Sequence, residues 1–155
     1  MKRKFLNSKI HKATVTDSRI DYEGSCEIDR ILLESAGIEP YEQIDIYNIT
    51  NGERFTTYAI EGKPESGSIC VNGAACHKAD IGHNIIICAY TELENSEIKN
   101  HSPRIIYVDE KNNIVSKKDK KNITSFNFLS ILNIPYVFNY FFCFIFNRKI
   151  FVNVF

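Results

Sequence analysis

Ile44-Asp45-Ile46-Tyr47-Asn48-Ile49-Thr50-Asn51-Gly52-Glu53-Arg54-Phe55 reads as two strands folded back on a tight turn. Ile44, Ile46 and Phe55 alternate with polar neighbours, the period-two pattern of a sheet with one wet face. Asn51-Gly52 is the strongest short-range hairpin signal, because a type I′ turn needs positive φ at both central positions. The hairpin makes this part of the chain β-structure.

The same grammar continues on either side. Lys9 to Thr16 is rich in β-formers and alternates weakly. Asn84 to Tyr90 is a run of apolar residues that reads as a strand buried on both faces. Arg104 to Asp109 is a further strand, closed by a turn at Lys111-Asn112-Asn113. Helical spacing occurs over Glu27 to Ala36, where Ile28, Ile31 and Leu32 share a face and Gly37 supplies the stop. Many short strands with one or two short helices predict a mainly β fold, a small closed barrel.

At 155 residues the chain has the size of one domain. Lys plus Arg equals Asp plus Glu at 19 each, so no net field draws it to nucleic acid or to an acidic membrane surface. The five cysteines (Cys26, Cys70, Cys76, Cys88, Cys143) are odd in number and show no C-x-x-C spacing. Met1-Lys2-Arg3-Lys4-Phe5 is basic, but no apolar run follows it, so a reducing cytoplasm is the expected compartment. Cys70, Cys76, His77 and His83 fit no common zinc spacing, and no metal is expected.

Composition breaks near the end. Residues 126–147 carry no charge, and nine of the eleven phenylalanines lie from Phe126 to Phe155. The chain therefore divides into a barrel over 1–118 and an aromatic-rich extension over 119–155. Three readings of the extension stay open: a non-functional addition, a segment packing on the barrel or a partner, and a membrane anchor. Four asparagines and Pro135 interrupt the uncharged run, which argues against the anchor.

Chemistry concentrates at Asp21-Tyr22-Glu23-Gly24-Ser25-Cys26. Alone, Gly-Ser is an ordinary turn dipeptide. It can also break itself. Attack of the Ser25 hydroxyl on the Gly24 carbonyl gives an ester, and elimination across Ser25 leaves a dehydroalanine. Hydrolysis of that group releases ammonia and leaves a chain that begins with a pyruvoyl ketone. Gly24 suits the scissile position because it lacks a Cβ.

The neighbouring motifs favour that reading. Lys9-Ile10-His11, Tyr22 to Cys26, Ile44 to Phe55, Thr57-Tyr58-Ala59-Ile60 and Val71-Asn72-Gly73-Ala74-Ala75 stand in an order and spacing that closely resembles the pyruvoyl-dependent aspartate 1-decarboxylases. The resemblance runs from about Met1 to about Val115. It implies a self-cleaving enzyme that converts L-aspartate to β-alanine and carbon dioxide, a step that serves pantothenate synthesis in that family. It sharpens the barrel to a double-psi β-barrel assembled as a homotetramer. The cofactor implied is the covalent pyruvoyl group from Ser25, with neither pyridoxal phosphate nor a metal.

Site residues follow from the same resemblance. Cleavage falls between Gly24 and Ser25, and the converted Ser25 is the Schiff-base site. Tyr58 is the proton donor, since a phenol stays protonated at neutral pH and can protonate a carbanion. Arg54 is the natural carboxylate clamp, because its planar fork binds both oxygens. Lys9 is a second cation near the substrate, and His11, two residues on, shares its strand face as a pocket lining. Thr57 lies by the processing site, although alternation alone turns it away from Tyr58, so a flat strand is not expected there. Asn72, Gly73, Ala74 and Ala75 form a loop whose small side chains let backbone N–H groups approach the ligand. Tyr47 stands where many relatives carry tryptophan, and Cys26 is expected to be a packed small residue. Two other readings remain open: an uncleaved barrel acting as a binding or structural module, and a pyruvoyl decarboxylase for another amino acid.

Overall fold

The computed structural model of the chain describes residues 1–118, so the aromatic extension at 119–155 lies outside the described residues. The strands are β1 (Arg3–Thr14), β2 (Asp17–Arg19), β3 (Ser25–Asp29), β4 (Gln43–Asn48), β5 (Arg54–Gly62), β6 (Ile69–Asn72), β7 (Asn84–Leu93), β8 (Arg104–Val108) and β9 (Ile114–Lys118). One α-helix, α1 (Arg30–Ala36), follows β3, and short 3-10 turns span Gly73–His77 and Ile98–Asn100. The mainly β expectation holds. Among the described residues no helix is long and apolar enough to cross a membrane.

All nine strands join one sheet in the order β2-β6-β3-β5-β4-β7-β1-β8-β9. The pairs β1/β8, β2/β6 and β3/β5 are parallel; the others are antiparallel. β1 and β2 stand six places apart in this order, yet only Val15 and Thr16 separate them in sequence. A flat sheet would put them about 29 Å apart at ~4.8 Å per strand, while the connecting Cα steps span at most ~11 Å. The sheet is therefore rolled. Thr16 stitches the two regions together: its N–H donates to the Ile69 carbonyl at 2.8 Å and its hydroxyl accepts from the Ile69 N–H at 2.9 Å. Ile10, Ile28, Ile44, Ile46, Ile87 and Ile106 fill the interior.

Three local expectations are corrected. Glu27, Ile28 and Asp29 belong to β3, so the helix begins at Arg30 and buries Leu32, Leu33 and Ala36. Pairing on both edges of β3 outweighs the helical spacing of Ile28 with Ile31 and Leu32. Asp29 then caps α1, accepting from the Ile31 N–H at 2.7 Å, and Gly37 (φ 66°) ends it as expected.

The Asn51-Gly52 connection is not a two-residue type I′ turn. β4 and β5 are joined by the five-residue loop 49–53, in which Gly52 alone takes positive φ (80°) and its N–H returns to the Asn48 carbonyl. The buried Asn48 side chain sets this loop, accepting from Thr50 N–H and donating to the Lys78 carbonyl. β7 is buried fully on one face only. Ile85, Ile87 and Ala89 are inaccessible, whereas Ile86 and Tyr90 on the opposite face stay half-buried.

Candidate active site

Ser25 is the first residue of β3 and lies opposite Asn72, the last of β6. Both are buried, at 1% and 0% exposure. Asn72 donates through Nδ2 to the Ser25 Oγ at 3.0 Å, and that hydroxyl points to the Glu23 carbonyl at 3.4 Å. The Cys70 thiol donates to Asn72 Oδ1 at 3.3 Å, which fixes which end of the amide faces the serine. Burial pushes the Cys70 thiol up to about 11, so it carries the proton that this bond needs at neutral pH. Cys26 is a packed thiol raised further by complete burial.

Gly24 is exposed, and a Cβ built there would meet nothing within 4 Å. Gly73 is the crowded partner. Its φ is +60°, and a Cβ there would come to 2.9 Å from the Gly24 Cα and 3.0 Å from the Tyr22 carbonyl. The 3-10 turn that follows carries Ala74 at the surface and tucks Ala75 against the core, with the Ala75 carbonyl taken by Lys78 N–H. Gly24, Ser25, Asn72 and Gly73 are thus brought together. The Ser25 hydroxyl is held by a buried amide donor beside an exposed, side-chain-free Gly24.

Thr57 and Tyr58 lie on β5. Its ladder with β4 runs regularly through Ile44↔Thr57 and Gln43↔Tyr58, and its ladder with β3 begins at Cys26↔Ala59. No bulge occurs at Thr57–Tyr58; the irregularity is the change of partner at Ala59. Stepping the parallel register back by one sets Tyr58 beside Ser25. Tyr58 is 37% exposed and stacks on Tyr41 at 6.5 Å between ring centres, whereas Thr57 is half-buried on the other face.

The cations form a second group. Arg54 lies opposite Tyr47, with its guanidinium 4.9 Å from the ring centre. Tyr47 Oη meets Tyr90 Oη at 2.8 Å, and the Lys4 ammonium sits 5.0 Å over the Tyr90 ring. Lys9 is paired with Cys88, which is paired in turn with Asp45. His11 shares the Lys9 face, with its ring edge-on to Tyr107 at 5.5 Å. Its Nδ1 is buried without a hydrogen-bond partner, and burial, then Lys9 and Lys12, hold its pKa below the usual histidine value.

Lys9 and Ser25 lie on different strands, β1 and β3. Four strand steps (β3-β5-β4-β7-β1) separate them, about 19 Å measured along the sheet. Arg54 stands four residues up β5 from Tyr58, about 13 Å at strand rise. Along the sheet these residues fall into two groups, Ser25–Asn72–Gly73–Tyr58 and Arg54–Lys9. A cleft of about 570 Å³ lined by Lys12, Asn84, Asp109 and Lys111 holds none of these residues. Sequence reasoning does not reach Tyr90 or the Cys70–Asn72 contact. The only signal for Tyr90 is its alternation with Ile86 on the face of β7 opposite Ile85, Ile87 and Ala89. Among the described residues no cluster of His, Cys, Asp or Glu could hold a metal ion.

A family model described as aspartate decarboxylase matches residues 1–115. The aspartate 1-decarboxylase of Thioalkalivibrio sulfidiphilus is 59% identical over 110 residues, 71% of this chain and 87% of the relative. That of Psychromonas ingrahamii is 55% identical over 115 residues, 74% of this chain and 91% of the relative. That of Ruthia magnifica is 54% identical over 112 residues, 72% of this chain and 94% of the relative.

Proposed function

The chain belongs to the aspartate decarboxylase family, and from that premise we propose how its own residues carry the conversion of L-aspartate to β-alanine and carbon dioxide. It is a carboxy-lyase. The observation that carries the residue-level reading is the buried Ser25 hydroxyl, held by Asn72 at 3.0 Å next to an unencumbered Gly24. In maturation the Ser25 oxygen attacks the Gly24 carbonyl. The Asn72 amide holds that hydroxyl in place, the ester formed is lost by elimination across Ser25, and the chain opens between Gly24 and Ser25. The pyruvoyl group left at position 25 supplies an electrophilic carbonyl, the electron sink for decarboxylation.

The remaining steps belong to side chains. Arg54 takes a substrate carboxylate on its planar fork, and Lys9 adds a second positive charge with His11 beside it. Asn72 through Ala75 form the wall against which the substrate lies, and Thr57 flanks the cleaved peptide. Tyr58 Oη gives its proton to the carbon that carbon dioxide leaves.

The Ser25 group and the Arg54–Lys9 group stand on different stretches of the sheet, and this reading has them meet between copies. In that arrangement the Arg54–Lys9 group serves the Ser25 of a neighbour. A homotetramer of cleaved subunits satisfies this. The rolled sheet, with β1 and β2 nearly continuous, supports closure as a double-psi barrel. The cytoplasm is the matching compartment for an enzyme with free buried thiols.

Intact-mass analysis of freshly purified protein, followed by assay with L-aspartate, tests this reading. Two chains should appear, residues 1–24 and residues 25–155, the longer lacking a free amine and bearing a ketone. β-Alanine and carbon dioxide should form in equal amounts. An uncleaved chain without turnover, or a longer fragment starting with unmodified serine, would overturn it.

A further inference from the structure

We propose that Tyr90 is a positioning residue for Arg54: its hydroxyl pins the Tyr47 ring on which the Arg54 guanidinium rests, and so sets where a substrate carboxylate is held. The proposal rests on the reading of Arg54 as the carboxylate clamp. Three contacts carry it: Arg54 over Tyr47 at 4.9 Å, Tyr47 Oη to Tyr90 Oη at 2.8 Å, and Lys4 over Tyr90 at 5.0 Å. The two rings form a bar with a cation on each end.

Register explains why the hydroxyl contact matters. Tyr47 is paired with Ile86, and Tyr90 lies four residues further along β7. The side chains therefore reach toward each other along the strands, over the Asp45–Cys88 pair, and meet at their tips. That tip-to-tip bond fixes the tilt of the Tyr47 ring. Asp45 does not compete, because its carboxylate accepts from the Thr56 hydroxyl at 2.7 Å.

Arg54 needs such a platform. Among the described residues no carboxylate pairs with it, so the ring occupies the flat face of the guanidinium and leaves its N–H fork free. Cation–ring contact is directional enough to orient a planar guanidinium without spending its donors. A lysine in its place would gain no planar orientation from the ring.

The test uses fully cleaved enzyme and steady-state kinetics on L-aspartate. Tyr90→Phe keeps the ring and deletes only the hydroxyl. It should raise KM about fivefold, the scale of one weak cation–ring contact, while kcat stays within about twofold. Tyr47→Phe should do the same, and the double variant should be no worse than either alone, because both remove one bond. In an Arg54→Lys background Tyr90→Phe should have no further effect. If Arg54→Lys raises KM but Tyr90→Phe does not, the proposal falls and the clamp reading stands. If Arg54→Lys leaves KM unchanged, the clamp reading falls and takes the proposal with it. A Tyr90→Phe variant that loses thermal stability or kcat with KM unchanged marks the phenol pair as purely structural and overturns the proposal.

Discussion

At Tyr58 a single hydroxyl separates packing from chemistry. Its ring stacks on Tyr41, and its backbone lies one step before the Cys26–Ala59 pair that opens the β3 ladder. Tyr58→Phe keeps the stacking and deletes the transferable proton, so folding and cleavage should be unaffected. Decarboxylation should slow about 10²- to 10⁴-fold, the usual worth of a positioned general acid. Single-turnover measurement on fully cleaved protein is the check, because incomplete maturation would mimic the defect. Wild-type turnover would remove Tyr58 from the mechanism. Residues of this kind are legible in the sequence when their chemistry lies in consecutive positions, as at Gly24-Ser25. Tyr90 and Cys70 are not legible. Each acts through a partner on another strand, Tyr47 and Asn72, and a side chain's local sequence says nothing about which hydroxyl or amide it will meet.

Elements hold the site by close approach, and Gly73 is where that is tightest. The turn after β6 runs against the segment proposed to break, with φ of +60° at Gly73 and 2.9 Å from a built Cβ to the Gly24 Cα. Gly73→Ala faces two obstacles, a left-handed backbone disfavoured by about 1 kcal/mol or more for a side chain and a backbone atom in the way. The turn must move, and Asn72 with it, so cleavage at Gly24–Ser25 should be slowed far more than the fold is destabilised. A gel time course of chain separation beside a thermal melt distinguishes the two; a variant that cleaves at the normal rate would show that the contact is incidental. The strands themselves were largely readable, since β4, β5, β7 and β8 announce themselves by alternation or apolar runs. Boundaries were less so. Helical spacing over Glu27 to Ala36 was real at its C-terminal end, but β3 claimed Glu27–Asp29 because two neighbouring strands supply ladder bonds there. The parallel pairs β1/β8, β2/β6 and β3/β5 leave no local mark, because such a pairing joins residues far apart in sequence.

Across the whole molecule, the proposed function draws on more than one copy of the chain. The Ser25 group and the Arg54–Lys9 group sit on different stretches of one rolled sheet. Mixed assemblies make that claim measurable. Ser25→Ala chains cannot form the electrophile but keep Arg54, and Arg54→Ala chains cleave but lack the clamp. Each variant alone should be inactive or nearly so. If the two are co-expressed in equal amounts and assemble at random, about a quarter of the sites in a closed ring of copies should pair an intact Ser25 half with an intact Arg54 half. Turnover should rise to about that fraction of wild type, with KM near the wild-type value because each restored site is complete. Differently tagged chains confirm that mixed tetramers are what is assayed. A site built wholly within one chain predicts no recovery beyond the sum of the two parents, since every chain in the mixture is defective. Recovery at wild-type KM therefore depends on Ser25 and Arg54 being supplied by different copies.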